Sequence, residues 1–350
     1  MARNFLSLGD ILNHGSDTVI DVRSPAEFAI DHIPGAINLP ALSNAERARV
    51  GKIYKQISPF EARKLGASLV ARNVADHIAQ AMADKDGSWR PLVYCWRGGQ
   101  RSGSFASILS QIGWRAETVQ GGYQTFRRLV HEAVYETPLP HRIILLDGNT
   151  GTAKTAVLAR LAARNVQVID LEDLAHHRGS LLGGRDEGQP SQRAFETRIA
   201  LALHRLDPAR PVVIEAESSK IGRLIVPPML WAAMCGAGRI VLHAPLEARA
   251  GFLAQAYADI GAAPDRVAQR LAPLRYVRGH DVVDGWIALL RAGDLTGFAT
   301  AIMGQHYDPA YAKSRKAADH DVLAELVTDT LDDAGQDRLI AAILPLVSAE

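Results

Sequence analysis

The chain holds no run of about 18 or more apolar residues, so the sequence offers no candidate membrane span. Its first ten residues lack a basic patch followed by an apolar stretch. No secretory signal is therefore expected, and a cytoplasmic location is the default. Cysteine is nearly missing, with only Cys95 and Cys235. Two cysteines cannot build a disulfide framework or a four-cysteine zinc site, and in a reducing compartment each is a free thiol. No repeat of fixed period and no low-complexity tract occurs. Net charge is almost absent too, at +1, which taken alone argues against a polyanionic partner.

That neutrality is an average. Residues 317–350 contain eight acids (Asp319, Asp321, Glu325, Asp329, Asp332, Asp333, Asp337, Glu350) and one base, Arg338, a balance of −7. With +1 overall, the remainder carries +8. A basic body with an acidic end can bind a polyanion; a solvated acidic helix on a neutral enzyme explains the same numbers.

The 350 residues, 47% hydrophobic and 22% charged, suit about two globular domains. In the first part, short apolar runs at 18–22, 36–39, 91–94 and 116–119 read as strands. Helical patterns at 25–30, 62–82 and 102–112 alternate with them. This is the signature of a mostly parallel sheet covered on both faces. Thr137-Pro-Leu-Pro140 reads as a stiff linker, which divides the chain into 1–137 and 138–350. Strands are again expected at 142–146, 167–170, 211–215 and 239–243. Beyond residue 250 the pattern is helical, with amphipathic stretches at 271–276, 286–292 and 322–331.

The strongest chemical signal is Cys95-Trp96-Arg97-Gly98-Gly99-Gln100-Arg101-Ser102, between an expected strand and helix. The strand brings the sulfur to the carboxyl end of a parallel sheet. The next helix directs free backbone N–H groups at the loop, glycines let it curl, and Arg97 and Arg101 add positive charge. Such a nest lowers a thiol pKa and holds an anion beside it. Asp21-Val-Arg23-Ser-Pro-Ala-Glu27-Phe, His32-Ile-Pro-Gly35, this loop and Gly121-Gly122-Tyr123 together resemble a rhodanese domain. Common sulfurtransferase rhodaneses have four residues between cysteine and loop arginine. Here there are five, Trp96 to Gln100, as in the phosphatase-like members of that superfamily, which implies room for a phosphate-sized oxyanion.

The second signal is Gly148-Asn149-Thr150-Gly151-Thr152-Ala153-Lys154-Thr155, directly after a strand. It approximates the phosphate-binding loop G-x-x-x-x-G-K-[ST], in which Lys154 neutralises phosphate oxygens and Thr155 reaches Mg²⁺. Ala153 replaces the usual glycine, which suits a helical backbone at that position and strains a glycine-only one. Glu215 and Glu217 stand at and just past the end of the 211–215 strand, where such folds often place a metal-organising acid. Sequence alone leaves open whether they converge on one site or are surface groups.

His177-Arg178-Gly-Ser180-Leu-Leu-Gly-Gly184, Gln189-Pro-Ser-Gln192, Glu215 through Arg223, and His306-Tyr-Asp308-Pro-Ala-Tyr311 complete a pattern. With the two domains, the chain resembles the tRNA 2-selenouridine synthase family end to end. The resemblance implies an α/β rhodanese-like domain, then a P-loop NTPase-like α/β domain with a helical C-terminal region. It also implies two steps on wobble 2-thiouridine of tRNA, S-geranylation from geranyl diphosphate and displacement by selenophosphate. Cys95 then becomes a candidate selenium carrier and the phosphate loop a diphosphate site; on residues alone either loop can serve either co-substrate. No tightly bound cofactor is expected, and Mg²⁺ is a candidate ion. Arg178, Ser180, Lys220 and Arg223 are candidate tRNA or diphosphate contacts, with Arg185, Arg193, Arg275, Arg278, Lys313, Arg315 and Lys316 as further basic candidates. Trp96, Tyr276 and Trp286 are aromatic enough to stack a base, although Trp286 and Cys235 sit in apolar stretches that suit a core. The sequence sets no oligomeric state. The same motifs also permit a phosphatase-like rhodanese fused to a small-molecule kinase, or a non-catalytic protein that binds nucleotide and RNA.

Overall fold

The computed structural model describes residues 1–185, 187–256, 263–316 and 321–348, with 314–316 described through their backbone only. Two compact units emerge. One comprises Met1–Thr137 with Pro190–His204, the other Pro138–Gln189 with Arg205–Glu350. The linear division at 137/138 thus misses one exchange, because helix Gln192–His204 packs with the first unit. It does so through buried Phe195, Glu196, Thr197 and Ile199.

The first unit is built on β1 (Ala2–Arg3), β2 (Thr18–Asp21), β3 (Ile37–Asn38), β4 (Pro91–Tyr94) and β5 (Glu117–Val119). They form one parallel sheet in the order β1-β5-β4-β2-β3. Buried on every residue, β4 runs up the middle and delivers Cys95 at its carboxyl end. Covering helices start where capping chemistry dictates. Ser24 and Glu27 form a capping box ahead of Pro25–Ile30, and Ser43 with Glu46 does the same for Asn44–Gln56. That second helix carries no buried residue and was not apparent from the sequence. Ser58 caps Pro59–Ala79, so this helix begins three residues before the expected 62. Val70, Val74, Phe105, Leu109 and Trp114 pack with Ile20 and Val93 in the core.

The second unit carries β6 (Ile143–Gly148), β7 (Gln167–Ile169), β8 (Val212–Glu215), a hairpin of β9 (Lys220–Ile221) and β10 (Leu224–Ile225), β11 (Gly238–His243) and β12 (Val322–Val327). Its main sheet is parallel, ordered β12-β11-β6-β8-β7. β6 is central, and the Leu146↔Glu215 pairing sets the end of β8 beside the loop that follows β6. β12 corrects the helix expected at 322–331. Val-Leu-Ala-Glu-Leu-Val fits helix and strand periods alike, and the open edge of β11 decides for strand, with His243 opposite Val327.

The acidic end is therefore not one solvated helix. Glu325 lies on β12, while Asp333 and Asp337 lie on helix Asp333–Ser348. Asp337 meets Arg160 at 3.1 Å and Arg164 at 3.0 Å, and Asp333 also meets Arg160. Asp319 and Glu350 lie outside the described residues. A separate helical core gathers Leu182, Leu271, Val283, Phe298 and Ile302 around Trp286. Trp286 is a core residue, as its apolar stretch suggested, and donates to Gln305 at 2.7 Å. Cys235 is exposed instead, because it closes helix Pro228–Cys235 on the solvent side. No helix among the described residues is long and apolar enough to cross a membrane.

Candidate functional site

The cysteine loop is held from behind. Tyr123 N–H donates to Cys95 O at 2.8 Å, and Gln124 N–H to Trp96 O at 3.1 Å. Gly122 makes this approach feasible, since a Cβ there would stand 2.2 Å from Cys95 O at a φ of +60°. Helix Gln100–Ile112 starts at Gly99 with no side-chain cap, so its first N–H groups face the loop. Ser102 Oγ donates to the Cys95 sulfur at 3.2 Å. Burial alone pushes the Cys95 thiol up, but the Ser102 hydrogen bonds, the Arg101 charge and the Arg97 backbone outweigh it. The thiol ends below its ordinary value.

The arginines contribute less directly than their spacing suggested. Arg97 and Gln100 are exposed. Arg101 is drawn to Glu27 at 2.8 Å, and Glu27 also meets Arg47 at 3.9 Å. Arg23 is buried and structural. It grips Asp21 with a shortest contact of 2.6 Å, donates to Asp31 O, and lies 4.0 Å from the Tyr123 ring. Asp31 accepts in turn from Tyr123 Oη at 2.7 Å and Thr197 Oγ1 at 3.0 Å. Trp96 is half-buried, 5.3 Å from the Tyr123 ring, with Arg193 5.8 Å from its own ring. Tyr276, the other aromatic candidate, is almost fully exposed.

In the second unit, the loop after β6 wraps a cavity of about 310 Å³ lined from Thr150 to Ala156. Lys154 Nζ donates to Gly148 O at 2.9 Å, and Thr152 Oγ1 to Asn149 O at 2.8 Å. Ala153 departs from the helical backbone that would suit it. Its φ of 61° and ψ of 24° are left-handed, the conformation the usual glycine supplies. Arg249 and Asp308, which the sequence reading did not single out as site residues, brace this loop. Asp308 accepts from Asn149 at 3.0 Å and from Arg249 at 2.9 and 2.8 Å, while Arg249 also donates to Thr150 O. A π-helical turn, Met303–Tyr307, leads into Asp308.

Glu215 and Glu217 do converge, and Glu172 joins them, one oxygen of each lying within 4.8 Å of the others. A tight turn, Glu217 N–H to Glu215 O at 2.9 Å, folds the two glutamates together. Glu215 also accepts from Glu172 N–H at 2.8 Å. Thr155 Oγ1 stands 3.4 Å from Glu172 and 3.5 Å from Glu215. Gly179 passes directly over the cluster; a Cβ there would meet Glu172 at 2.5 Å. Burial, then the charge of Glu217, pushes Glu172 up to about 8, and Glu215 and Glu217 are raised as well. Burial would push Lys154 down, but Tyr311 and the three carboxylates leave it raised. Three carboxylates and a hydroxyl are hard oxygen donors with surplus negative charge, which fits a divalent cation such as Mg²⁺. The signal for Glu172 was an acid just beyond the end of β7.

Arg178 and Ser180 line the same cavity, together with Arg185 and Tyr311. Arg223 lines a neighbouring cleft with His177, Arg185 and Arg270. Lys220 is exposed on the hairpin and borders neither. Arg275 is tied to Asp284 and Arg278 to His306. The side chains of Arg315 and Lys316 lie outside the described residues.

A cysteine loop on one parallel sheet and a G-x-x-x-x-A-K-T loop on another define a rhodanese-type domain linked to a P-loop domain. Comparison with known proteins agrees. The rhodanese-like domain model matches residues 6–129, and that of the tRNA 2-selenouridine synthase AAA domain matches residues 141–266. The tRNA 2-selenouridine synthase of Hahella chejuensis is 33% identical, with 84% of this chain and 84% of that one covered. That of Shewanella loihica is 33% identical, covering 92% and 80%. That of Pseudomonas syringae pv. syringae is 34% identical, covering 85% and 88%. The chain belongs to the tRNA 2-selenouridine synthase family.

Proposed function

We propose that this chain is a tRNA-modifying transferase that converts wobble 2-thiouridine to 2-selenouridine through S-geranyl-2-thiouridine. The observation that carries the reading is the pairing, in a chain of this family, of an ionisable buried thiol with a separate phosphate cradle. In the first step the 2-thio sulfur attacks C1 of geranyl diphosphate. An S–C bond forms, the C–O bond breaks, diphosphate leaves with the electron pair, and N3 gives up its proton. Lys154 and the N–H groups of Gly148 to Thr155 bind the diphosphate, with Arg178 and Ser180 adding contacts. A divalent cation on Glu172, Glu215, Glu217 and Thr155 would, when bound, offset charge on the leaving diphosphate.

Alkylation turns a poor sulfur leaving group into a thiolate-type one. The cysteine loop receives selenophosphate: the Cys95 thiolate attacks its phosphorus, an S–P bond forms, the P–Se bond breaks and selenide leaves with the electron pair. Selenide attacks C2, geranylthiolate departs, and water hydrolyses the S–P bond to free thiol and phosphate. The basic side chains of Arg185, Arg223 and Arg270 contact tRNA phosphates.

The test is to assay both half-reactions on a purified 2-thiouridine tRNA. Cys95→Ser should keep geranylation and lose selenation; selenation at the wild-type rate sinks the role of Cys95. Lys154→Ala should lose geranylation; an unchanged rate removes Lys154 from the mechanism.

A further inference from the structure

An apolar slot opens off the phosphate cradle. The two share Thr150, Ser180 and Leu253 in their walls. Beyond that mouth the slot is lined by Leu182, Leu295, Phe298, Ala299, Ile302 and Tyr307. Phe298 and Ile302 are buried and belong to the helical core around Trp286, so the far wall is packed protein. Tyr307 is pushed up to about 12 by burial and stays neutral, which keeps charge out of the slot. Apart from the hydroxyls of Thr150, Ser180 and Tyr307 its walls are hydrocarbon, so a base or ribose would leave most of its polar edges unpaired there. An allylic diphosphate has the matching shape, with an anionic head and a thin hydrocarbon tail joined at one carbon.

We infer that this slot takes the isoprenoid tail of the diphosphate held by the phosphate loop and sets its length. The inference rests on the reading that the loop binds the diphosphate. The slot has free space of only about 30 Å³, near that of two waters. A tail therefore enters by parting Leu253 on helix Leu246–Ala256 from Phe298 on helix Leu295–Ile302. Each added five-carbon unit pushes further toward the packed core. Geranyl diphosphate should be preferred over farnesyl diphosphate for that reason, and over dimethylallyl diphosphate because it buries more carbon.

The experiment measures binding of geranyl, farnesyl and inorganic diphosphate to the full chain and to three variants. Ala254 is half-buried and lines the slot, so Ala254→Phe fills it without opening the core. Ala254→Phe should weaken geranyl diphosphate at least tenfold and leave inorganic diphosphate within about twofold. Leu295→Ala widens the slot and should raise the farnesyl-to-geranyl preference severalfold. If Ala254→Phe binds geranyl diphosphate like the wild type, the slot assignment is overturned. If Ala254→Phe loses both ligands, Leu295→Ala decides, and an unchanged farnesyl-to-geranyl ratio overturns it. Lys154→Ala separates the underlying reading: undiminished geranyl diphosphate binding there means that the loop is not the diphosphate site at all.

Discussion

Replacing Ser102 with alanine removes the hydroxyl that reaches the Cys95 sulfur at 3.2 Å. A hydrogen bond to a charged group is worth about 1.5–3 kcal/mol, so thiol ionisation should become about ten- to a hundredfold less favourable. The reaction rate should not fall by that whole factor. A less stabilised thiolate is a better nucleophile, with a Brønsted slope of about 0.4–0.5, so about half of the effect survives on a logarithmic scale. Iodoacetamide should therefore react with Cys95 roughly three- to tenfold more slowly at pH values where both thiols are mostly protonated. The assay needs a Cys235→Ser background, because Cys235 is exposed and would react as well. Arg101→Ala should cost less, since its guanidinium is already committed to Glu27 at 2.8 Å. At pH values where the thiols of both proteins are ionised, the Ser102→Ala rate should match or exceed the wild type. A rate unchanged at every pH, or an equal loss at every pH, would refute the hydrogen-bond account.

Three further outcomes follow from the same geometry. Ala153→Gly relieves a left-handed alanine, a cost of about 1–2 kcal/mol, against about 0.5–1 kcal/mol of added chain entropy. A urea midpoint showing up to about 1 kcal/mol of stabilisation is expected, and a clear destabilisation would contradict it. Glu172 is raised to about 8, so between its unfolded value of 4.5 and that pH the folded chain holds more protons than the unfolded chain. The contribution of this group to stability should thus be fullest below 4.5 and be lost as pH rises toward 8, by up to about 1.4 kcal/mol per pH unit per proton. Glu172→Gln or added Mg²⁺ should flatten that slope, and a slope unmoved by either speaks against the carboxylate cluster. Glu196 is buried, ion-paired to Arg127 and hydrogen-bonded by Tyr135 at 2.8 Å. Glu196→Ala should cost roughly 3 kcal/mol by leaving Arg127 unpaired, and a loss under about 1 kcal/mol would show the pair to be idle.

Both loops were legible in the sequence because each is contiguous, with its residues fixed within eight positions between a strand and a helix. What surrounds them was not. Asp31 is met by Thr197, 166 residues away, and Asn149 by Asp308, 159 residues away. No local pattern announces either contact. Glu172 was hidden for a similar reason, as its role appears only once β7 and β8 lie side by side. The 322–331 error has another origin. A short amphipathic stretch fits helix and strand, and the choice was made by the edge of β11, 80-odd residues earlier. Ala153 shows the reverse case, in which the residue was seen to be unusual but its backbone had to be observed.

The central claim is that one chain alkylates and then selenates the wobble 2-thiouridine. Mass spectrometry of tRNA nucleosides, from cells lacking this protein and cells restored with wild type, Cys95→Ser or Lys154→Ala, tests it most directly. The expected result is 2-thiouridine alone without the protein and with Lys154→Ala, S-geranyl-2-thiouridine accumulating with Cys95→Ser, and 2-selenouridine restored only by the wild type. The same set of 2-thiouridine derivatives with and without the protein would contradict the account.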